Sequence, residues 1–359
     1  MSGDELQGSI LFFVMFDVSE EIDLGNLGTL LGRKPGERSF KHSAPEYLRL
    51  QRVPLIDDLE LSNTSLPAGM KARISFYDYG VIVVLFELPF QRNWQGLVVM
   101  ASQTALASAL EASAEDMVRK RLANVAAAIV GPYERWLRED YTIFHVRPSD
   151  PQYSAKQLLD EHGENIVQMV RGEQQALSKQ ECDEVLRSSI SYYPNDLAVI
   201  GWNAAFVYDT DEGAQTTIQV LEYANTQLLE LRHYDELLSR DLTGQYRRLK
   251  QRGLLAGWRR RRAALQLEAV TVEITELVER VDNAIKFFSD MFAARLYRLA
   301  ASKVGVQDYK QLVNQKLQTA ENLSGFLTEM FHQERGFLLE FLVVIILLIE
   351  LVYLFEGKG

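Results

Sequence analysis

Eight basic residues lie between Leu242 and Leu267 with no acid among them: Arg247, Arg248, Lys250, Arg252, Arg259, Arg260, Arg261 and Arg262. Guanidinium and ammonium groups at this density suit an array of phosphates, because they donate charge-assisted hydrogen bonds and displace counterions. The two halves of the cluster flank Gly253-Leu254-Leu255-Ala256-Gly257-Trp258. An apolar turn ending in a tryptophan belongs at the headgroup level of an anionic membrane, where an indole sits partly in lipid and partly in water. An RNA backbone suits the same arginines, and so does a helix hairpin whose arginines pair with acids on neighbouring helices. The cluster opposes the chain as a whole, which carries a formal charge of -11.

A second pair of charges, Glu340 and Glu350, sits inside the apolar stretch Phe337–Phe355. Ten residues apart on a helix, they lie about 80° apart around the axis and ~15 Å apart along it. In lipid, that half of the helix faces other copies of the chain, so both glutamates are expected at an intramembrane oligomer contact. The alternative is that each carboxylate snorkels to its own interface. The stretch is about 28 Å long as a helix, close to the ~30 Å of hydrocarbon in a bilayer. A single transmembrane helix is therefore expected over 336–356. The opening residues, MSGDELQ, lack the basic start of a secretory signal, so the bulk of the chain is expected on the cytosolic side of the cytoplasmic (inner) membrane.

Other chemistry is missing. There is no GxxxxGK[ST] loop, no GxGxxG after a strand and no GxSxG elbow, the patterns that cradle phosphates or present a nucleophile. His42, His145, His162, His233 and His332 are scattered, none at the i, i+4 spacing that holds a metal from one helix face. Cys182, the single cysteine, lies among Glu181, Asp183 and Glu184, whose charge makes it a poor nucleophile. Asp209, Asp211 and Glu212 read as charges at a helix N-terminus. No catalytic residue, cofactor site or metal site is assigned, and no enzyme is expected.

The elements that must position these groups fall into three stretches. In the first, Ser9–Val18, Lys71–Tyr77, Val81–Leu88 and Tyr141–Val146 are rich in β-branched and aromatic residues and read as strands. Tyr79-Gly80 is the turn between the second and third. Glu21–Leu31 reads as a helix, and Asn93 as the cap of a longer one running from Trp94 through Gln103–Ala114. The order β-α-β-β-α-β predicts a ferredoxin-like unit. Arg33 to Pro67 reads as a long ordered loop. Gln157–Gly172 is a further helix. Leu197–Tyr208 is a strand interrupted at Gly201, in either a second layer or an extension of the first sheet. From Thr216 onward, apolar residues recur at three- or four-residue steps, predicting three long amphipathic helices broken near Gly253/Gly257 and Val304-Gly305. Their stripes serve either a bundle core or contacts between subunits. The expected fold class is α+β: a ferredoxin-like head over 1–210, a coiled-coil-like stalk over 211–335 and the membrane helix over 336–356.

The run Leu339-Glu340-Phe341, eight further apolar residues and Glu350-Leu351 resembles the terminal membrane segment of the "required for meiotic nuclear division" family, a domain of unknown function. The segment Tyr77-Asp78-Tyr79-Gly80-Val81-Ile82-Val83-Val84 is similar to an aromatic-Gly-Val strand pair in the α/β domain of that family. The resemblance implies a membrane-anchored protein without established enzymatic activity, whose mitochondrial members support translation. The combined expectation is a homo-oligomeric scaffold or tether with copies of itself and anionic lipids as partners. An oligomeric ion channel or transporter-like assembly is one rival, and a tether for a ribosome or RNA is the other.

Overall fold

A computed structural model of the chain describes residues 5–32, 54–59, 61, 66–149, 152–249, 256–283 and 291–356. The chain divides into two compact units, one of Met1–His233 with Asp282–Tyr309, the other of Tyr234–Val281 with Lys310–Gly359.

The first unit is built on β1, Leu6–Ile22. Its middle, Phe13-Val14-Met15-Phe16, is buried on both faces, which requires a central position in a covered sheet. β1 pairs antiparallel on one side with β4 (Val81–Arg92) and on the other with β5 (Ile129–Val146), placing Phe12 between Phe86 and Thr142. β3 (Lys71–Phe76) continues outward from β4, and β2 (Leu55–Leu59) forms that edge. Beyond β5 the sheet takes in β8 (Ala204–Tyr208), which pairs in parallel with it, then β7 (Leu197–Ile200) and β6 (Ser189–Ile190).

The architecture is therefore α+β, but the expected ferredoxin-like head is corrected to an eight-stranded mixed sheet of order β2-β3-β4-β1-β5-β8-β7-β6. The four anticipated strands are consecutive neighbours within it. What overturns a closed four-stranded unit is β5, whose outer edge is not free. Tyr141, Ile143 and Phe144 are buried there, and β8 takes up the hydrogen bonds. Leu197–Tyr208 is thus an extension of the first sheet, folded back at Gly201, whose N–H donates to the Ala204 carbonyl.

Helices cover both faces. α1 (Leu24–Leu30) starts at Asp23, whose carboxylate accepts from the N–H groups of Gly25 and Asn26. α2 (Trp94–Ala101) is capped by Asn93 as expected. It ends at Ser102, and the alanine-rich stretch forms a separate α3, Thr104–Val125, followed by one 3-10 turn at Ala126–Ala128. α1 and α3 lie over the face carrying Phe12, Val14 and Phe16. α4 (Ala155–Arg171) carries a full capping box between Ser154 and Gln157 and stops at Gly172, in the left-handed conformation. With α2 and α5 (Lys179–Leu186), it covers Phe144, Val146 and Phe206. The first part of α6 (Ala214–Leu249) and α8 (Met291–Val304) complete this unit.

In the second unit, Leu242 of α6, Ala264 and Leu267 of α7 (Ala256–Asn283), and Ala320, Leu323 and Leu327 of α9 (Val306–Glu356) form one core. Lys316 donates to the Asp235 carboxylate at 2.5 Å and to the Ser239 hydroxyl at 2.6 Å, and Ser324 donates to Glu268 at 2.9 Å. The stripes here serve a three-helix core within one chain, the first of the two expected uses. The break between α8 and α9 falls at Gly305, with φ of 97°, the position the sequence indicates.

The expected transmembrane helix is also corrected. Among the described residues, no single helix is long and apolar enough to cross a membrane. The expected turn at 253–257 and most of the expected loop from Arg33 to Pro67 lie outside the described residues.

One position allows a direct test of the sheet. Gly80, at the β3–β4 turn, has φ of +92°, and a Cβ there would sit 1.8 Å from the Ser19 carbonyl oxygen. Both the dihedral and the contact exclude a side chain. Gly80→Ala should lower stability by about 3 kcal/mol, read as a reduced denaturation midpoint at unchanged slope.

Candidate functional site

The structure separates the residues singled out in the sequence. Arg247 is exposed on α6, Arg261 and Arg262 are exposed on α7, and the Arg261 guanidinium lies 5.6 Å from the centre of the Phe331 ring on α9. Arg248, Trp258, Arg259 and Arg260 occupy helical positions on α6 and α7, while Lys250 and Arg252 lie outside the described residues. Glu340 and Glu350 are both exposed on α9. Among the described residues, no group of three or more His, Cys, Asp or Glu side chains could hold a metal ion.

Two features of the first unit carry chemistry that the sequence did not indicate. One is a seam of polar groups between the sheet and α6. Glu222 is buried on α6 and accepts from the Tyr77 hydroxyl at 2.9 Å, with Arg73 at 3.8 Å. One turn on, Thr226 shares a hydrogen bond of 2.8 Å with the Tyr79 hydroxyl. Farther along, Arg232 pairs with Glu139, and His233 meets the buried carboxylate of Asp17 at 2.7 Å while stacking on Tyr133. Burial pushes the Glu222 carboxyl above its ordinary value, against the opposing pull of Arg73, Tyr77 and Ser75. Burial likewise raises Asp17, against His233, and drives the phenols of Tyr77 and Tyr79 far up. These phenols stay protonated and act as donors. The seam fixes where α6 lies on the sheet.

The other feature is a cavity of about 510 Å³ outside the carboxyl ends of β5 and β8, the two neighbouring strands that run parallel. Ligand sites of α/β sheets collect at such ends, and the volume suits a small molecule. Pro148 and Gln152 line it after β5, Asp209 and Thr210 after β8, Thr216 and Thr217 from the start of α6. The loop between β6 and β7 supplies Tyr192, Tyr193 and Asp196, and α8 supplies Phe292. Asp196 accepts from the backbone N–H of Tyr192 at 2.8 Å and of Tyr193 at 2.6 Å, which sets that loop. Asn195 donates to Gln152 at 2.9 Å and ties the loop to the segment after β5.

Beside the cavity, His145 donates through Nε2 to the Asp209 carbonyl at 2.9 Å. Burial holds the His145 imidazole below its ordinary pKa, so it is neutral. Arg147 is drawn onto Asp211 at 2.6 Å. Asp209 and Asp211 thus flank the start of α6 as the sequence indicates, but Asp209 also faces the cavity. The sequence signal for the loop was Tyr192-Tyr193-Pro194-Asn195-Asp196, two aromatic residues at the head of a turn. Pairing it with Asp209 and Phe292 required the fold.

This arrangement defines an α+β protein on an extended mixed sheet, with its cavity at the parallel corner. Residues 7–215 match the family described as "Uncharacterized protein MJ0711, N-terminal domain", and the chain belongs to that family. The uncharacterized protein MJ0711 of Methanocaldococcus jannaschii is 21% identical over 215 residues, covering 60% of this chain and 65% of that protein. The match therefore spans just under two thirds of that relative. No solved structure matches the chain.

The resemblance to the "required for meiotic nuclear division" family is overturned by this assignment, since the matched family is a different one. The residues that carried it are an aliphatic helix edged by glutamates and a Gly-centred hairpin. Both recur wherever those local structures form.

The seam yields a test. A buried carboxyl with a raised pKa binds protons more tightly in the folded chain, so it makes stability fall as pH rises from 4.5 toward the raised value. Glu222→Gln keeps an oxygen for Tyr77 and cannot ionise. The stability difference, variant minus wild type, should therefore grow with pH above 4.5, at up to about 1.4 kcal/mol per pH unit. Denaturation series across pH 4 to 8 check this; a flat difference would show Glu222 to be ionised at no cost.

Proposed function

We propose that the chain is a membrane-attached, homo-oligomeric tether on the cytoplasmic face, working without catalysis, in which the apolar part of α9 provides the attachment. The observation that carries this reading is uniform exposure. Leu339, Phe341, Leu342, Val343, Val344, Ile346, Leu347, Leu348, Ile349, Leu351 and Val352 are each 45–57% exposed. Consecutive residues point all around a helix, so the segment is apolar on every side and not along one stripe. A helix of this kind belongs in an apolar phase. A folded partner covering one face would leave the others in water, whereas lipid covers all of them.

Two further observations support the reading. Phe331 precedes Leu339 by eight residues, about 12 Å along the helix, so the Arg261 guanidinium above its ring sits near the level of the lipid phosphates when the segment is immersed. Arg262 is exposed beside it. Glu340 and Glu350 then enter or border the apolar phase, where a carboxylate needs a partner. Packing that half of α9 against a second copy keeps both carboxyl groups away from the acyl chains.

Flotation on liposomes tests the attachment. The full chain should float with vesicles of neutral lipid and bind more tightly when anionic lipid is added. A chain ending before Leu339 should stay at the bottom. Replacing Arg261 and Arg262 together by alanine should weaken binding to anionic vesicles about thirtyfold, at ~1 kcal/mol per arginine, and leave binding to neutral vesicles unchanged. Full-length protein that remains with the truncated form would overturn the proposal.

A further inference from the structure

The cavity at the carboxyl ends of β5 and β8 is independent of membrane attachment, and its lining is chemically one-sided. Two carboxylates, Asp196 and Asp209, line it together with the buried Tyr208 and three further rings, those of Tyr192, Tyr193 and Phe292; among the described residues that line it there is no lysine, arginine or histidine. The rings form one wall. Tyr192 meets Tyr193 edge to face at 4.7 Å between centroids and Phe292 at 5.0 Å. Tyr192 and Tyr193 are nevertheless 60% and 63% exposed, a solvated aromatic surface of the kind that marks a contact site.

The start of α6 also borders the cavity, and a free helix N-terminus favours anions. Here its first donors are already used. The Thr210 hydroxyl accepts from the Gly213 N–H at 3.1 Å, and the Thr210 carbonyl accepts from the Ala214 N–H at 3.0 Å. Asp209 adds a negative charge at the same end, its carboxylate accepting from the Thr210 N–H at 2.7 Å. Arg147, nearby, pairs with Asp211 at 2.6 Å. An anion entering the cavity meets two carboxylates and aromatic rings, and no lysine, arginine or histidine among the described lining residues balances it.

We infer that this cavity binds a small organic cation, an ammonium or guanidinium group carrying an apolar stem, with Asp196 and Asp209 as counter-charges and Tyr192, Tyr193 and Phe292 as the aromatic wall. Attraction of a cation to ring faces and to carboxylates adds in this geometry. The repulsion between the two acids reinforces it: Asp209 is held above its ordinary pKa first by burial, and the charge of Asp196 raises it further. A bound cation relieves that repulsion. The Asp196 carboxylate cannot turn away to avoid it, because two backbone N–H groups hold it beside the rings.

Calorimetric titration of the full-length protein tests this with three probes that share a ring and a chain length but differ in charge: phenethylammonium, 2-phenylethanol and phenylacetate. A blocked Gly-Lys-Gly peptide supplies an ammonium group from a polypeptide. Phenethylammonium should bind at least about tenfold more tightly than 2-phenylethanol, and phenylacetate should not bind. Peptide binding at equal strength would assign the cation to a protein side chain; weaker peptide binding would assign it to a free amine. Asp196→Asn and, separately, Tyr193→Leu should each weaken phenethylammonium binding about tenfold. The Tyr193 side chain is mostly in solvent, so its loss leaves the fold intact. Phenylacetate binding as well as the amine, no saturation by any cation at millimolar concentration, or unchanged amine affinity in both variants would each overturn the assignment.

Discussion

The seating of the first half of α6 on the sheet governs the rest of the first unit. It is made by polar groups in a buried place: Glu222 on Tyr77, Thr226 on Tyr79, His233 on Asp17 and Arg232 on Glu139. Each such pair is costly to desolvate and strongly disfavours any other register, because a shifted helix would leave buried carboxylates and phenols without partners. Apolar burial alone, as at Leu221 and Ala224, would tolerate sliding. The cavity inherits this definition. Gly213, Thr216 and Thr217 stand where they do because α6 is pinned a few residues farther on.

Much of the local structure was legible in the sequence. β-branched and aromatic runs gave the strands of Ser9–Val18 and Val81–Leu88. Asn93 marked the start of a helix because its side chain can accept from an N-terminal N–H, and Gly172 and Gly305 marked ends because both take positive φ. The continuation of the sheet was not legible. Whether β5 has a free edge depends on β8, some sixty residues later, and periodicity within β5 is the same either way. The seam was hidden for a related reason. Glu222 and Thr226 fall beside the apolar stripe of α6, and in sequence such residues read as a solvated flank, while their partners Tyr77 and Tyr79 lie well over a hundred positions away. The resemblance first drawn from Tyr77–Val84 and Leu339–Leu351 failed because both segments report local chemistry, not ancestry.

The two units present different surfaces for contact. The family match covers residues 7–215 and so the sheet, its covering helices and most of the cavity. The basic cluster and the apolar segment of α9 lie beyond it. On the proposed reading, the matched part recognises a ligand or partner and the remaining helices locate it at a lipid surface. The exposed apolar residues and the adjacent arginines are complementary in that setting: one group satisfies the acyl chains and the other the phosphates.

The most direct measurement of the central claim is the depth of α9 in a bilayer. A spin label placed at Ile346 of the full-length protein, read by its collision rates with oxygen and with a water-soluble nickel chelate, reports whether the segment is in lipid or in water. A second label at Arg262 reports the level of the basic cluster. The account predicts that the label at 346 is reached by oxygen and shielded from nickel in anionic liposomes, while the label at 262 lies at the phosphate level and is reached by both. Equal access of the nickel chelate to both labels, unchanged by adding liposomes, would contradict it.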